Sequence, residues 1–231
     1  MKQSYGKFLI ALAMPVIVAA VPSVTYATCT NGVPDGPPTW DPSVTVPKTA
    51  RIGDGTDIGP NVTIGGYAII GACGQIGLDG QGVALGMRSR VGQNAVITGQ
   101  SKVGYRSKVY ADVTLNSTLI NGNSVVGAGS IISNTAIASH VQIGGNSNIS
   151  DSKFGTYATT GGGSQITGSV IGYDSTSGAG VIVDIGSKVG RYARIDPSVH
   201  LYHDVTVGYK AHVCSDVAPG MTIARYSSFG C

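Results

Sequence analysis

From residue 52 onward the aliphatic positions recur every six residues. Ile52, Ile58, Ile64, Ile70 and Ile76 form one run, and glycine follows each of them. Leu85, Val91, Ile97, Val103, Val109 and Leu115 form a second, and Val183, Val189, Ile195, Leu201, Val207 and Val213 a third. Fragments in the same rhythm (Ile120, Val126 and Ile132, then Ile143 and Ile149) lie between. Four residues after each aliphatic comes a small or β-branched residue, as at Thr56, Val62, Ala68, Gly74, Ala95, Ser101, Ser107 and Val113. The last run continues this with Ala193, Val199, Val205, Ala211 and Val217. A period of six matches neither an α-helix at 3.6 nor a long half-buried strand at 2. It fits a two- or three-residue strand, a corner, and the same again, with both marked positions facing inward. Three such units close a triangular coil of 18 residues.

This coupled pattern resembles the hexapeptide-repeat family, and the resemblance covers about residues 50–223. It implies an all-β fold, a left-handed parallel β-helix of about nine coils. The phase slips at 76–85, around 115–126, at 132–143 and through 149–183, and projecting loops are expected, chiefly around 76–85 and 149–183. Three segments follow: 1–27, a Pro-rich N-terminal strap over 28–50, and the β-helix over 51–231. The strap holds Pro34, Pro37, Pro38, Pro42, Pro47 and the only tryptophan, Trp40. It is expected to lie along its own rod, anchored by Trp40, or else to reach a neighbouring subunit.

Composition sharpens this picture. Glycine fills 35 of 231 positions, charged residues are 12% and hydrophobic residues 42%. The apolar share excludes a disordered linker, and the lack of a glycine at every third position excludes collagen. Lys2 and Lys7 precede an apolar stretch, Phe8 to Ala20, and Thr25-Tyr26-Ala27 supplies a small-residue cleavage site. That order is a secretory signal peptide, and the stretch is too short for a transmembrane segment. Export to the periplasm, cell surface or exterior is therefore expected. Cleavage after Ala27 leaves 13 Lys/Arg against 12 aspartates, a formal charge of +1. No basic cluster stands out along the chain, so nucleic acid is not an expected partner.

Cys29, Cys73, Cys214 and Cys231 are an even count in an exported chain, which suggests two disulfides. In an 18-residue coil Cys214 and Cys231 would lie nearly stacked, and Cys29 would then pair with Cys73. An intersubunit bond is the alternative.

Candidate chemistry is sparse. Many members of the resembled family are acyltransferases, and the tail Ser215-Asp216-Val217-Ala218-Pro219-Gly220-Met221-Thr222-Ile223 looks like their closing segment. Their catalytic base is a histidine in the groove between subunits of a trimer. By its surroundings His140 is the residue here to which that role would pass, although no accompanying acid or asparagine pattern is visible. An acyl-coenzyme A donor is cytosolic, which conflicts with export. The γ-class carbonic anhydrases share the fold and hold zinc with three histidines. His200, His203 and His212 do not suit that role, because 203 and 212 are half a coil apart, so no metal and no cofactor are expected. Arg88 and Arg106, 18 apart, would stack as like charges, and Arg191 with Tyr209 as a cation–π pair. The reading that follows is a non-enzymatic exported β-helix with a structural or assembly role. Its partners would be itself, by end-to-end stacking into a filament or as a trimer, and surface carbohydrate. The alternative is an extracytoplasmic trimeric acyltransferase acting on a surface glycan.

Overall fold

The computed structural model describes Cys29–Thr30 and residues 33–231, and the expected signal peptide over 1–27 lies outside them. The described chain is all-β, with no helix. Its short strands stack into three parallel sheets of eleven, ten and ten strands. Sheet A starts at Arg51–Ile52, sheet B at Thr39–Trp40 and sheet C at Thr63–Ile64. The chain visits them in the order A, B, C, coil after coil, making a parallel β-helix of about eleven turns.

The coil is built from the sequence pattern directly. The repeated aliphatics point inward and are almost wholly buried, among them Ile58, Ile76, Ile97, Leu115, Ile132, Ile149 and Ile166. Each contributes about 1.5–3 kcal/mol by leaving water. Backbone N–H groups donate to the coil that follows, as Gln75 N does to Ala95 O at 2.9 Å and Val96 N to Val113 O at 2.9 Å. The glycine after each aliphatic is required by close approach: a Cβ on Gly144 would fall 2.3 Å from the Gly162 nitrogen. The small residue before the next strand fills the narrow corner. Where it is serine it also clamps neighbouring coils, since Ser124 Oγ donates to Ala138 O at 2.8 Å and accepts from Val141 N at 3.2 Å.

Two expectations are corrected. There are about eleven turns rather than nine, and no loop projects through 149–183. In sheet A, Val109, Val126, Ile143, Thr160 and Ser177 pair in succession at intervals of 17. Coils on either side keep 18, as in the pairs Val91–Val109 and Ile195–Val213. The missing residue is taken from the corner between sheets B and C, where Leu115 to Ile120, Ile132 to Ile137, Ile149 to Phe154 and Ile166 to Ile171 are five apart. The phase slips around 115–126 and 132–143 are these shortened corners. Within 149–183 the inward positions of sheet A are Thr160 and Ser177, polar and buried, which hides the repeat. Gly77–Val83, by contrast, is a lengthened corner, with Asp79 Oδ2 accepting from Gly99 N at 2.6 Å.

At the N-terminal end Thr39–Trp40 pairs with Asp57–Ile58 as the edge strand of sheet B. Residues 41–50 then fold over the first core layer. Val44 is buried and Val46 and Ala50 pack against the core, whereas Trp40 is 42% exposed. Cys29 bonds to Cys73 with Cα atoms 5.7 Å apart, and Cys214 to Cys231 at 5.1 Å. One bond lies at each end of the rod, where a solenoid frays.

Ile132→Ala should lower unfolding free energy by about 2–5 kcal/mol, because the surrounding coil is fixed by its neighbours and cannot collapse into the gap. Urea denaturation of the oxidised protein checks it.

Candidate functional site on the basic edge

The charged residues are sorted around the rod. All thirteen Lys and Arg beyond residue 27 lie on the corner between sheets C and A or on those two sheets. Lys48, Arg88, Arg106, Arg191, Lys210 and Arg225 occupy the corner itself. Eleven of the twelve aspartates lie on sheet B, on its two corners or in the N-terminal segment, and only Asp174 sits on the C–A corner. A net charge near zero thus conceals a basic edge facing away from an acidic face. Seven tyrosines share the basic edge: Tyr67, Tyr105, Tyr157, Tyr173, Tyr192, Tyr209 and Tyr226.

Each C–A corner is four residues, and the N–H of the third donates to the carbonyl of the second residue one coil earlier. Asn123 N to Tyr105 O (2.8 Å), His140 N to Gly122 O (3.1 Å) and Tyr226 N to Tyr209 O (2.9 Å) are examples. This ladder fixes side chains of successive corners one above another. The third residue is left-handed, with φ from 50° to 64° between Arg88 and Tyr226. Asparagine and aspartate suit that conformation, and Asn94, Asn134 and Asn146 hold it on the other corners. On the C–A corner Asn123 and Asp174 hold it too, but elsewhere it falls to Tyr67, Arg88, Arg106, His140, Tyr157, Tyr192, Lys210 and Tyr226.

At the N-terminal half of this edge Arg88, Arg90, Arg106, Lys108, Asn123 and Val125 line an open cleft of about 460 Å³. A second cleft of about 310 Å³ shares Arg88 and Arg90 and adds Thr49, Arg51, Tyr67 and Ile69. Arg90 and Lys108 are register partners on sheet A, and Arg88 and Arg106 are stacked corners. Arg88 lies 5.9 Å from the Tyr67 ring centre and Arg106 4.9 Å from that of Tyr105. Among the described residues Arg194 is the only Lys or Arg in an ion pair, so the four cations of the larger cleft face one another without an acid. Like charges gathered in one cleft repel one another, by about 1 kcal/mol for a pair in bulk water were they to approach to about 4 Å. A bound anion relieves that cost, which makes the cleft a candidate anion site. Read from sequence, Arg88 and Arg106 are a detail of the surface. Their 18-residue spacing is the available signal, but the contribution of Arg90 and Lys108 shows only when sheet A and the corner are seen side by side.

His140 lies on the same edge, one coil beyond Asn123. Its ring stacks on Tyr157 with centroids 4.8 Å apart, and no side chain of the described residues hydrogen-bonds to it. From there a column of rings continues: Tyr157–Tyr173 at 5.7 Å, Tyr173–Tyr192 at 5.5 Å, Tyr192–Tyr209 at 5.5 Å and Tyr209–Tyr226 at 5.3 Å, all edge-to-face. Arg191 lies over Tyr173 and Tyr192, and Lys210 over Tyr192, Tyr209 and Tyr226. The expected Arg191–Tyr209 pair is replaced by these: Arg191 lies over Tyr173, its equivalent one coil earlier, rather than over Tyr209, one coil on. Burial among neighbouring rings, with the charges of Tyr192, Asp174 and Tyr157, raises the Tyr173 phenol above its usual value, against Arg191. An aromatic pair gives about 0.5–1.5 kcal/mol, and the left-handed backbone costs a non-glycine residue about 1–2 kcal/mol. The two nearly cancel, so folding alone gives little reason for tyrosine over asparagine here.

The other histidines are dispersed. His200 on sheet B pairs Nε2 with Asp184 Oδ2 at 2.8 Å and stacks on Tyr202. His203 Nδ1 meets Asp204 Oδ2 at 3.0 Å, and His212 on sheet A pairs Nε2 with Asp196 Oδ1 at 2.9 Å. His212 also lies 3.4 Å from Cys214 Sγ, and Cys231 is close by. Both sulfurs are committed to the disulfide, which removes them as thiolate ligands.

No family model matches the sequence, and no curated protein matches it. Solved structures of similar shape include the UDP-N-acetylglucosamine acyltransferase of Bacteroides fragilis, 15% identical, with 79% of this chain and 69% of that one covered and a TM-score of 0.37. The corresponding enzyme of Moraxella catarrhalis is 19% identical over 80% and 70%, with a TM-score of 0.40. A mutant of the GDP-perosamine N-acetyl transferase of Caulobacter crescentus is 17% identical over 79% and 50%, at 0.17. At that level of likeness nothing about this chain's activity follows.

Two measurements address the edge and the histidine pairs. Sulfate at millimolar concentration should raise the melting temperature of the native protein and leave that of Arg88→Gln/Arg106→Gln unchanged, in differential scanning fluorimetry with chloride as control. The His212 hydrogen bond holds the Asp196 carboxyl below its usual value. A carboxyl lowered by folding stabilises the fold above its unfolded pKa of about 4 and loses that contribution as pH falls through the folded value. The melting temperature of Asp196→Asn should therefore fall less steeply than wild type between about pH 4 and pH 2.

Proposed function

We propose that the protein is an exported, homo-oligomeric transferase that acylates an acidic sugar held on the basic edge, with His140 as the general base. The observation that carries this reading is the placing of His140 on the same corner as the acid-free cleft, one coil beyond Asn123, which lines it. The cleft would hold the anionic group of the acceptor. His140 would take the proton of an acceptor hydroxyl as its oxygen attacks the carbonyl of an activated acyl ester or thioester, and return that proton to the departing group. A base of this kind needs its second nitrogen oriented. Since this chain offers His140 no such partner among the described residues, a neighbouring subunit would supply it, in keeping with a site built between copies. The two disulfides are compatible with an oxidising compartment outside the cytoplasm.

The filament reading draws less support. A self-stacking rod needs two open ends, but residues 41–50 cover the first core layer. Pro38, Pro42 and Pro47 also remove N–H groups there, which blunts the edge against pairing. Arg51–Ile52, Thr39–Trp40 and Thr63–Ile64 end the three sheets on that side and Thr222–Ile223 and Ser228–Phe229 end two of them on the other, so it is the covering segment and its prolines, not a lack of edge strands, that count against end-to-end stacking.

With purified oxidised protein, a labelled acyl donor and a panel of uronic and phosphorylated sugar acceptors, His140→Ala should reduce kcat by about 10²- to 10⁴-fold without changing the oligomer seen by native mass spectrometry. Full activity of His140→Ala, or no transfer by the wild type to any acidic acceptor, overturns the reading.

A further inference from the structure

Apart from His140 at its head, the column that runs on to Tyr226 is not used by the chemistry just proposed. It runs through six successive coils, about 24 Å along the rod at the spacing of neighbouring strands. Five tyrosine rings follow one another with centroids 5.3–5.7 Å apart, and Tyr157, Tyr192 and Tyr226 are more than a third exposed. Their hydroxyls make no hydrogen bond to any described residue, so a row of O–H groups is left for a ligand. Arg191, Lys210 and Arg225 flank the rings against one acid, Asp174. Three of the five tyrosines occupy the left-handed corner position that asparagine fills elsewhere, and the fold draws no clear benefit from the exchange.

We infer that this aromatic and cationic column is a binding rail for an extended anionic polysaccharide. The rings would cover successive sugar faces, the phenols would hydrogen-bond ring and exocyclic hydroxyls, and Arg191, Lys210 and Arg225 would meet the carboxylates or sulfates. Aromatic rows with cations also suit single-stranded nucleic acid. Free phenol hydroxyls in a row and a fold stapled by disulfides favour the saccharide, since such bonds persist where nucleic acid is not the usual polymer. The rail lies coils away from Arg88 and Arg106, so it stands whether or not His140 is a catalytic base.

The test is affinity electrophoresis and fluorescence titration of the oxidised protein with polygalacturonate, dextran sulfate, neutral dextran and oligothymidylate. Binding to one or both acidic polysaccharides, weakening as salt rises, is expected, with neutral dextran and oligothymidylate at least tenfold weaker. Polygalacturonate against dextran sulfate tells carboxylate from sulfate recognition. Tyr157→Asn/Tyr192→Asn/Tyr226→Asn places asparagine where the backbone favours it, so its melting temperature should match wild type while affinity falls tenfold or more. Arg191→Gln/Lys210→Gln should do the same, and Lys102→Gln, exposed on sheet C outside both the column and the cleft, should leave polysaccharide affinity unchanged. Equal binding of neutral dextran, tighter binding of oligothymidylate, no polysaccharide binding, or full affinity in the folded tyrosine variant overturns the rail. Loss confined to Arg88→Gln/Arg106→Gln assigns the polysaccharide to the cleft instead and equally overturns it.

Discussion

The backbone hydrogen bond between one coil and the next is the constraint from which everything else descends. Each coil has no partner but its two neighbours, so an inward side chain sits over the equivalent side chain one coil away, 17 or 18 residues along the chain through most of the rod. An aliphatic at one position therefore demands an aliphatic, or at least something small and uncharged, at the next. The same rule acts on the outside, where it has no core to satisfy. There it turns a preference at one corner position into a row, and a row of identical groups is a surface with a period of about 5 Å.

The rule explains which parts of the fold are legible in the sequence. Ile52 to Ile76 and Val183 to Val213 announce their coils because each inward position is aliphatic and each interval is six. Between Leu115 and Ile171 one corner per coil gives up a residue, so a period of six loses phase although the coil loses nothing. Thr160 and Ser177 then remove the hydrophobic mark from two inward positions. Their hydroxyls, like that of Ser89, are buried without a hydrogen-bond partner, so sequence pattern and energetic preference fail at the same places. A regular stretch of the rod thus resembles a Gly/Ser/Thr-rich loop.

The edge is less legible for a different reason. Net charge is a sum over the circumference, and summing cancels thirteen cations against twelve aspartates. Only when each residue is assigned to a sheet or corner does the separation show, and that assignment needs the coil length, which varies. Arg88 and Arg106 can be paired from their spacing alone, but Arg90 and Lys108 reach the same cleft from the adjoining sheet. Likewise Tyr157, Tyr173, Tyr192, Tyr209 and Tyr226 are separated by intervals from 16 to 19, alternating between the second and third corner positions. No fixed period finds them, although their rings touch in space.

Alternation between two corner positions is also what lets the rings pack. Identical positions one layer apart would bring rings to the strand spacing, face to face, an arrangement their quadrupoles disfavour. Moving alternate rings by one residue opens the separation to 5.3–5.7 Å and turns each ring edge-on to the next. The backbone cost of the left-handed position is thereby offset by packing, and the column persists at little net expense to the fold. A rigid rod can hold such a row in fixed order, so a polymer that engages one ring meets the next without further loss of translational freedom. Weak contacts repeated along a stiff template add through effective concentration rather than through individual strength. A solenoid suits this kind of recognition because its outer surface inherits the regularity its core requires.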